Sequence, residues 1–181
     1  MKLILASNNK GKVVEFREIL AGTGIETFEE NAFLKAEAAM KATGLPAVSD
    51  DSGLEVDALG GAPGVHSARY TGNHDDSDLD RRKFLMKNLE GEEHRTARFV
   101  SAICCVFPNG DVLRARGTCE GRIATYMKGE NGFGYDAMFI AEGHDITMAE
   151  MTHEQKNEIS HRGRALREFA RVLKEYCDAD K

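Results

Sequence analysis

No apolar run in the 181-residue sequence approaches the length of a membrane span. The N-terminal stretch, residues 1–5, is too short and is followed too soon by polar residues to act as a signal peptide. Acidic residues outnumber basic ones, 30 against 24, which gives a net charge of −6. A protein with this balance does not adhere broadly to nucleic acid or to a membrane surface, so we expect neither as a partner.

Cysteine is scarce, and the four thiols form no C-x-x-C pair. We interpret them as small buried apolar residues in a reducing cytoplasm; they are Cys104, Cys105, Cys119 and Cys177. The G-x-G-x-x-G, H-E-x-x-H and G-x-S-x-G motifs are missing, so dinucleotide, zinc-protease and serine-hydrolase sites are not indicated. The scattered histidines are interpreted as surface or packing residues: His66, His74, His94 and His144.

Hydrophobic periodicity and turn signals predict one mixed α/β domain over residues 1–181, with a sheet that is partly antiparallel. Strands are expected at 2–6, 46–49, 53–57, 97–107 and 111–119, the last two joined by an Asn109-Gly110 hairpin. Helices are expected at 10–20, from the Thr27 capping box to Thr43, at 77–89 and at 160–177. The inward faces are predicted to be Phe28, Ala32, Ala36 and Ala39 in the second helix and Leu166, Phe169, Leu173 and Tyr176 in the last.

Two adjacent carboxylates, Asp50 and Asp51, follow a short strand-like run and precede Ser52 and Gly53. Acids at the carboxyl end of a strand stand where α/β proteins place their ligands. Two carboxylates this close repel each other unless a cation or a shared proton compensates them, and their hard oxygens suit Mg²⁺. Since Asp-Asp-Ser-Gly is equally good turn chemistry, a simple turn remains an alternative.

Two further segments could hold an anion. Ser7-x-Asn9-x-x-Lys12 lies between a predicted strand and a helix, where free N–H groups and the helix dipole favour phosphate, although an ordinary cap explains it as well. Lys35 stands in an apolar turn of the second helix and either reaches into a cleft or extends along the surface into solvent. Glu30 is the acid of that helix's capping box.

A third and a fourth segment could recognise an aromatic ligand. Gly132-Phe133-Gly134-Tyr135-Asp136 places two aromatic rings between glycines, ahead of an acid that can accept from a base or sugar; a glycine-rich hairpin is the alternative. Four basic residues surround the start of the last helix, where the dipole disfavours cations: Lys156, His161, Arg162 and Arg164. That cost favours a ligand with an anionic or carbonyl group, although acidic partners elsewhere in the fold would also explain it.

Taken together, these segments resemble the inosine triphosphate pyrophosphatase family. The matching stretches are Ser7-Asn8-Asn9-Lys10-Gly11-Lys12, Thr27-Phe28-Glu29-Glu30-Asn31-Ala32 with Lys35, Ser49-Asp50-Asp51-Ser52-Gly53-Leu54, Leu59-Gly60-Gly61-Ala62-Pro63-Gly64 through Ser67-Ala68-Arg69-Tyr70, Gly132-Phe133-Gly134-Tyr135-Asp136, and Lys156 with Ile159-Ser160-His161-Arg162. They occur in family order over nearly the whole chain. Each is weak alone, and jointly they are specific.

The resemblance implies a mixed parallel and antiparallel sheet with flanking helices, in two lobes around a nucleotide cleft. It also implies a cytoplasmic homodimer that depends on Mg²⁺ and hydrolyses ITP, dITP or XTP to the monophosphate and pyrophosphate. Asp51 would be the proton acceptor and a metal ligand. Phosphate and sugar would be bound by Ser7, Asn8, Asn9, Lys10, Gly11, Lys12, Lys35 and Ser52. The base pocket would consist of Phe133, Gly134, Tyr135, Asp136, Lys156, His161 and Arg162.

One departure from the family concerns the metal. Family members carry a longer segment before the Thr-Phe-x-Glu-Asn motif, with a strand and a metal-binding Glu. Here only Ala21-Gly22-Thr23-Gly24-Ile25-Glu26 joins Leu20 to Thr27, too few residues for a strand and two connections. The segment is either deleted or left out of this chain, and we favour the second because losing a strand would open the sheet. Glu30 and Glu26 are the nearest substitutes.

Two other functions are compatible with the sequence. A Maf-like pyrophosphatase acting on pyrimidine or methylated nucleotides would share the fold, although the Gly-Phe-Gly-Tyr-Asp and Ser-His-Arg motifs argue against it. A nucleotide-binding protein without turnover would be consistent with the missing metal Glu.

Overall fold

A computed structural model describes residues 27–73 and 75–179 of the chain. The predicted strand at 2–6, the helix at 10–20, the Ser7 to Lys12 segment, the short connection up to Glu26, and His74 lie outside the described residues. Across the described part, no helix is both long enough and apolar enough to cross a membrane.

Helix α1 spans Phe28–Thr43 and confirms the predicted capping box, in which Thr27 and Glu30 satisfy each other's backbone N–H groups. It ends at Gly44, whose positive φ of 70° lets its N–H donate to the Met40 carbonyl. Its buried stripe is Phe28, Ala32 and Ala36. The prediction that Ala39 continues this stripe is wrong, because Ala39 is exposed and the larger Met40 packs against the core instead.

The sheet has four strands in the order β1-β2-β3-β4, with bounds Ala47–Val56, Thr96–Val106, Val112–Ile123 and Phe139–Ala141. The Asn109-Gly110 turn joins β2 to β3 as predicted. Within the described residues every strand pair is antiparallel, so the parallel part of the expected mixed sheet is not found there. The α/β class with flanking helices is confirmed.

Strand β1 corrects the prediction of two short strands around the acids. Asp50 and Asp51 do not end a strand: they lie inside β1, opposite Ile103 and Ala102 of β2. Gly53 allows Gly64 and Ser67 to pack directly against the strand, because a Cβ there would collide with the Gly64 carbonyl and the Ser67 side chain. The two acids therefore project from opposite faces of the sheet.

Two helices cover the opposite faces of this sheet. Helix α1 packs on β1 and β2, where its buried stripe meets Val100 and Ala102. Helix α4, His161–Ala179, packs mainly on β3, and Gly117 allows the close approach because a Cβ would meet the His161 carbonyl and the Ala165 backbone. The last helix was predicted at 160–177, close to its observed bounds. The prediction that Leu166 faces inward is wrong: Ala165 is buried and Leu166 is 52% exposed.

Two shorter helices complete the described fold. Helix α2 spans Asp78–Asn88, close to the predicted 77–89, and is capped by Ser77 and Asp80. Helix α3, His153–Ile159, was not predicted; it contains Lys156, which sequence reasoning placed beside the start of the last helix. Three of the four thiols are buried as expected, while Cys177 is exposed, contrary to prediction.

Candidate functional site

A cleft of about 760 Å³ lies where β1, the loop at 131–136 and the start of α4 meet. Eight of the predicted site residues line it: Ser52, Phe133, Gly134, Tyr135, Asp136, Lys156, His161 and Arg162. Asp51 and Lys35 do not line the cleft; they contact each other on the other face of β1. The cleft is large enough for a nucleotide-sized ligand.

Asp51 is held by two side chains of helix α1. Lys35 Nζ lies 2.7 Å from Asp51 Oδ1, and Asn31 Nδ2 donates to Asp51 Oδ2 at 3.2 Å. Lys35 also donates to the Asp50 carbonyl oxygen at 2.5 Å. Both carboxylate oxygens are thus oriented, while the Asp51 side chain remains 21% exposed. A carboxylate fixed in this way can accept a proton or join a cation in a set direction.

Asp50 and Ser52 face the cleft side of the strand. Ser52 Oγ donates to Asp50 Oδ2 at 3.3 Å, and Arg162 Nη2 lies 3.4 Å from Ser52 Oγ and 3.7 Å from Asp50 Oδ2. This arrangement connects the acid pair to the start of α4. Arg162 remains 43% exposed, so its guanidinium is available to a ligand.

The loop with the two aromatic residues is closed by Asp136. Its nearly buried carboxylate pairs with Lys156 at 2.5 Å and accepts from the Phe133 N–H at 2.8 Å. Tyr135 is buried and donates from its hydroxyl to the Ser67 carbonyl at 2.9 Å. Phe133 is 61% exposed, with Lys156 Nζ and the Arg162 guanidinium 5.0 and 5.3 Å from its ring centre. The exposed ring can stack on an aromatic base.

His161 groups in sequence with the basic residues at the start of the last helix, but its surroundings do not favour a charged imidazole. Its ring is buried and stacks on Phe99 with 4.8 Å between ring centres. Burial first, and then the charges of Arg162 and Lys156, lower the pKa of His161 to about 3. The imidazole is therefore neutral near pH 7 and offers one donor and one acceptor, and its Nδ1 has no hydrogen-bond partner within the described part of the chain.

The donor set for a metal is small. Within residues 27–73 and 75–179, no group of three or more His, Cys, Asp or Glu side chains could hold a metal ion. Glu30, the second predicted ligand, has its carboxylate engaged with Thr27 as the capping-box acid. One oriented carboxylate nevertheless fits Mg²⁺, which proteins often hold through one or two carboxylates while waters and substrate phosphates complete the shell.

Sequence reasoning missed three residues that position the site. Asn31 holds Asp51, and its spacing of four from Lys35 on the same helix was a usable signal. Ser67 joins β1 to Tyr135 by accepting from the Leu54 N–H at 2.8 Å and from the Tyr135 hydroxyl through its carbonyl. Asp78 accepts from the Gly134 N–H at 2.6 Å although the two residues are 56 positions apart in sequence. No local sequence pattern predicts this contact.

Fold and site together define an α/β protein in which β1 presents an oriented acid, Asp51, on one face and borders, on its other face, a cleft with an exposed aromatic ring and fixed cations. Residues 3–172 match the sequence model of the Ham1 family, and the chain belongs to that family. The resemblance stated from the motifs is confirmed.

Relatives of known name support the same assignment. The chain is 47% identical to the dITP/XTP pyrophosphatase of Desulforamulus reducens, covering 96% of each chain, and 44% identical to that of Bacillus subtilis, covering 94% and 96%. The structure of the Staphylococcus aureus Ham1 protein superposes with a TM-score of 0.78 at 40% identity over 97% of both chains. That of the nucleoside-triphosphatase or dITP/XTP pyrophosphatase of Mycobacterium abscessus gives 0.70 at 40% identity, covering 92% and 96%.

The first of these alignments bears on the short connection after Leu20. It spans 193 positions, more than the 181 residues of this chain, so the relative has residues where this chain has none. The family comparison likewise expects relatives to have more residues than this chain. That the additional residues lie between Leu20 and Thr27 stays a prediction.

Proposed function

We propose that this protein hydrolyses the non-canonical purine nucleoside triphosphates ITP, dITP and XTP at the α–β phosphoanhydride, releasing the monophosphate and pyrophosphate. The observation that carries the proposal is the cleft in which Arg162 lies between Ser52, next to the acid pair, and the exposed ring of Phe133. We assign its β1 side, the phosphate end, to the triphosphate and its Phe133 side, the base end, to the base. The pyrophosphatase names of the relatives support the same reaction.

Asp51, on the face of β1 that α1 covers, is proposed as the proton acceptor for the attacking water. Lys35 and Asn31 hold its two oxygens, so the carboxylate is oriented before the substrate arrives. Lys35 and Ser52 would contact phosphate and sugar, together with the segment formed by Ser7, Asn8, Asn9, Lys10, Gly11 and Lys12. Breaking a phosphoanhydride depends on such positioning and on neutralising charge on the phosphate oxygens.

Mg²⁺ is the proposed cofactor. Asp51 would hold it, with Glu30 as the candidate second carboxylate, which would first have to leave its capping box. When bound, the ion supplies charge neutralisation at the phosphates.

At the base end, Phe133 would stack on the purine, and Arg162 and His161 would recognise its 6-keto oxygen. A guanidinium donates through all its N–H groups, while the neutral imidazole of His161 donates through one nitrogen. ATP presents an amine at this position, which leaves such donors unpaired. Gly134, Tyr135, Asp136 and Lys156 complete the proposed pocket, with Asp136 and Lys156 fixing the loop by their ion pair.

Assembly and location are proposed from the resemblance. A homodimer in the cytoplasm is expected, with purine nucleoside triphosphates as the partners of the cleft. The buried, unpaired thiols Cys104, Cys105 and Cys119 are consistent with a reducing compartment.

Pyrophosphate release tests the function. The purified protein is incubated with ITP, dITP, XTP, dTTP and ATP in turn, with Mg²⁺ and with a chelator. We expect rapid release from the first three, little from dTTP or ATP, and none with the chelator. Preference for dTTP would favour the Maf-like alternative, and tight binding of ITP without release would favour a nucleotide-binding protein.

A further inference from the structure

Asp78, the first residue of helix α2, spans the gap between that helix and the loop that bears Phe133. Its Oδ2 accepts from the Gly134 N–H at 2.6 Å, and its Oδ1 pairs with Arg81 Nη2 at 2.5 Å. Arg81 in turn donates to the Asp76 carbonyl. Asp78 is therefore anchored on its own helix while it holds a backbone group of a distant loop, and both Asp78 and Arg81 line the cleft.

The loop needs such a contact because its backbone is permissive. Gly132 and Gly134 have positive φ values of 77° and 58°, a region open mainly to glycine. Between them lies the exposed ring of Phe133. Asp136 holds the Phe133 N–H from within the loop, whereas Asp78 holds the Gly134 N–H from outside it. The orientation of Phe133 thus depends on both acids.

The contact is charged at ordinary pH. Partial burial opposes the ionised form of Asp78, but the hydrogen bonds from Arg81 and from the Gly134 N–H outweigh it and hold the pKa of the carboxyl below its usual value. A charge-assisted hydrogen bond to a backbone N–H is stronger than a neutral one.

We propose that Asp78 is a positioning residue for base recognition: by holding Gly134 it sets the orientation of Phe133 and so the affinity of the cleft for the base of the nucleotide. This inference rests on the proposed function, since it assigns the loop to the base. It adds a residue outside the family motifs, on helix α2, which otherwise contributes only Arg81 to the lining of the cleft.

The test compares Asp78→Ala with Asp80→Ala, two substitutions of the same kind in the first turn of α2. Asp80 is exposed and contacts Ser77 as the capping-box acid, without reaching the loop. Asp80→Ala therefore reports what a weakened helix start does by itself. Asp78→Asn is the conservative variant, because its amide oxygen can still accept from the Gly134 N–H. Melting temperature is measured for all three to show that they fold.

Three quantities are measured: kcat and KM for ITP, binding of inosine monophosphate, and binding of inorganic tripolyphosphate. For Asp78→Ala we expect the KM for ITP and the Kd for inosine monophosphate to rise by about tenfold, the low end for one charge-assisted hydrogen bond. Tripolyphosphate binding and kcat should stay within about threefold, since the phosphate end is untouched. Asp78→Asn should recover part of the loss, and Asp80→Ala should lower only the melting temperature.

The inference is overturned if Asp78→Ala matches Asp80→Ala in KM and in monophosphate binding, or if it weakens tripolyphosphate as much as inosine monophosphate. Failure of the proposed function looks different. A wild-type protein that binds inosine monophosphate through Asp78 but releases no pyrophosphate from ITP would refute the hydrolase and leave the role of Asp78 standing. A wild-type protein that binds neither ligand refutes both.

Discussion

At the scale of single residues, the two faces of β1 surround the adjacent acids with different groups. Asp51 is oriented by two residues of α1, and Asp50, its neighbour, points to the opposite face with Ser52 and Arg162. Because the two acids have different surroundings, they should respond differently to the same substitution.

Asp51→Asn should lower kcat for ITP by about 10²–10⁴-fold while nucleotide binding changes little, since the amide keeps the shape but cannot take a proton. Steady-state pyrophosphate release and calorimetric binding of ITP measure the two effects. Asp50→Asn is the matched control and should cost much less. Activity of Asp51→Asn within a few-fold of wild type would remove Asp51 from the chemistry.

Arg162→Ala should collapse the ratio of kcat/KM for ITP over that for ATP by about 10–100-fold, as expected when one donor worth about 1–3 kcal/mol is lost. The reason is that only ITP offers an acceptor at position 6. Arg164→Ala is the control, because Arg164 binds the Thr118 carbonyl and does not line the cleft. Equal loss for both substrates in Arg162→Ala would show that the residue serves the phosphates or the fold.

His161 makes stability depend on pH. Its pKa is lowered to about 3 by burial, so between that value and the ordinary 6.5 the unfolded chain binds a proton that the folded chain does not. Stability is full above the ordinary value and is lost as pH falls. From pH 7.5 to pH 5.0 this group should cost about 2 kcal/mol of unfolding free energy. Urea titrations should show that loss in wild type but not in His161→Gln; equal losses would contradict it.

At the scale of elements, sequence patterns predicted the structure correctly where the contacts lie within the pattern itself. They failed where contacts with a distant element decide the conformation. Thr27 and Glu30 mark the start of α1 within four residues, and the structure agrees. Asp-Asp-Ser-Gly resembles a turn by itself, yet residues 50–53 stay extended because residues 100–103 of β2 pair with them. Leu166 was assigned inward from periodicity, but the close contact at Gly117 turns Ala165 to the sheet.

The docking of α4 on β3 gives a test at this scale. Gly117→Ala should destabilise the protein by about 1–3 kcal/mol, because its methyl group would meet the backbone of His161 and Ala165 rather than a flexible side chain. ITP affinity should fall as well, since the helix start that bears Arg162 must shift. Thr118→Ala, whose side chain lies on the other face, is the control. Denaturant unfolding measures the stability of both variants, and calorimetry measures their affinity for ITP. Equal stabilities of the two variants would show that α4 adjusts freely.

At the scale of the whole molecule, the cleft brings together motifs that are more than 100 positions apart in sequence, since Ser52 and Arg162 are in hydrogen-bond contact there. The family resemblance assigned these motifs to one site, and eight of the residues it named line the cleft. It did not predict the hydrogen bonds that position the site, from Asn31 to Asp51 and from the Gly134 N–H to Asp78. Each of them depends on which elements the fold makes adjacent.

The identity of the products formed from ITP tests the central claim most directly. Wild-type protein with Mg²⁺ and ITP is analysed by ³¹P NMR, with Asp51→Asn alongside. We predict equal amounts of inosine monophosphate and pyrophosphate, no inosine diphosphate, and almost no product from the variant. Formation of inosine diphosphate with free phosphate, or unchanged turnover by Asp51→Asn, would contradict a pyrophosphatase built around this carboxylate.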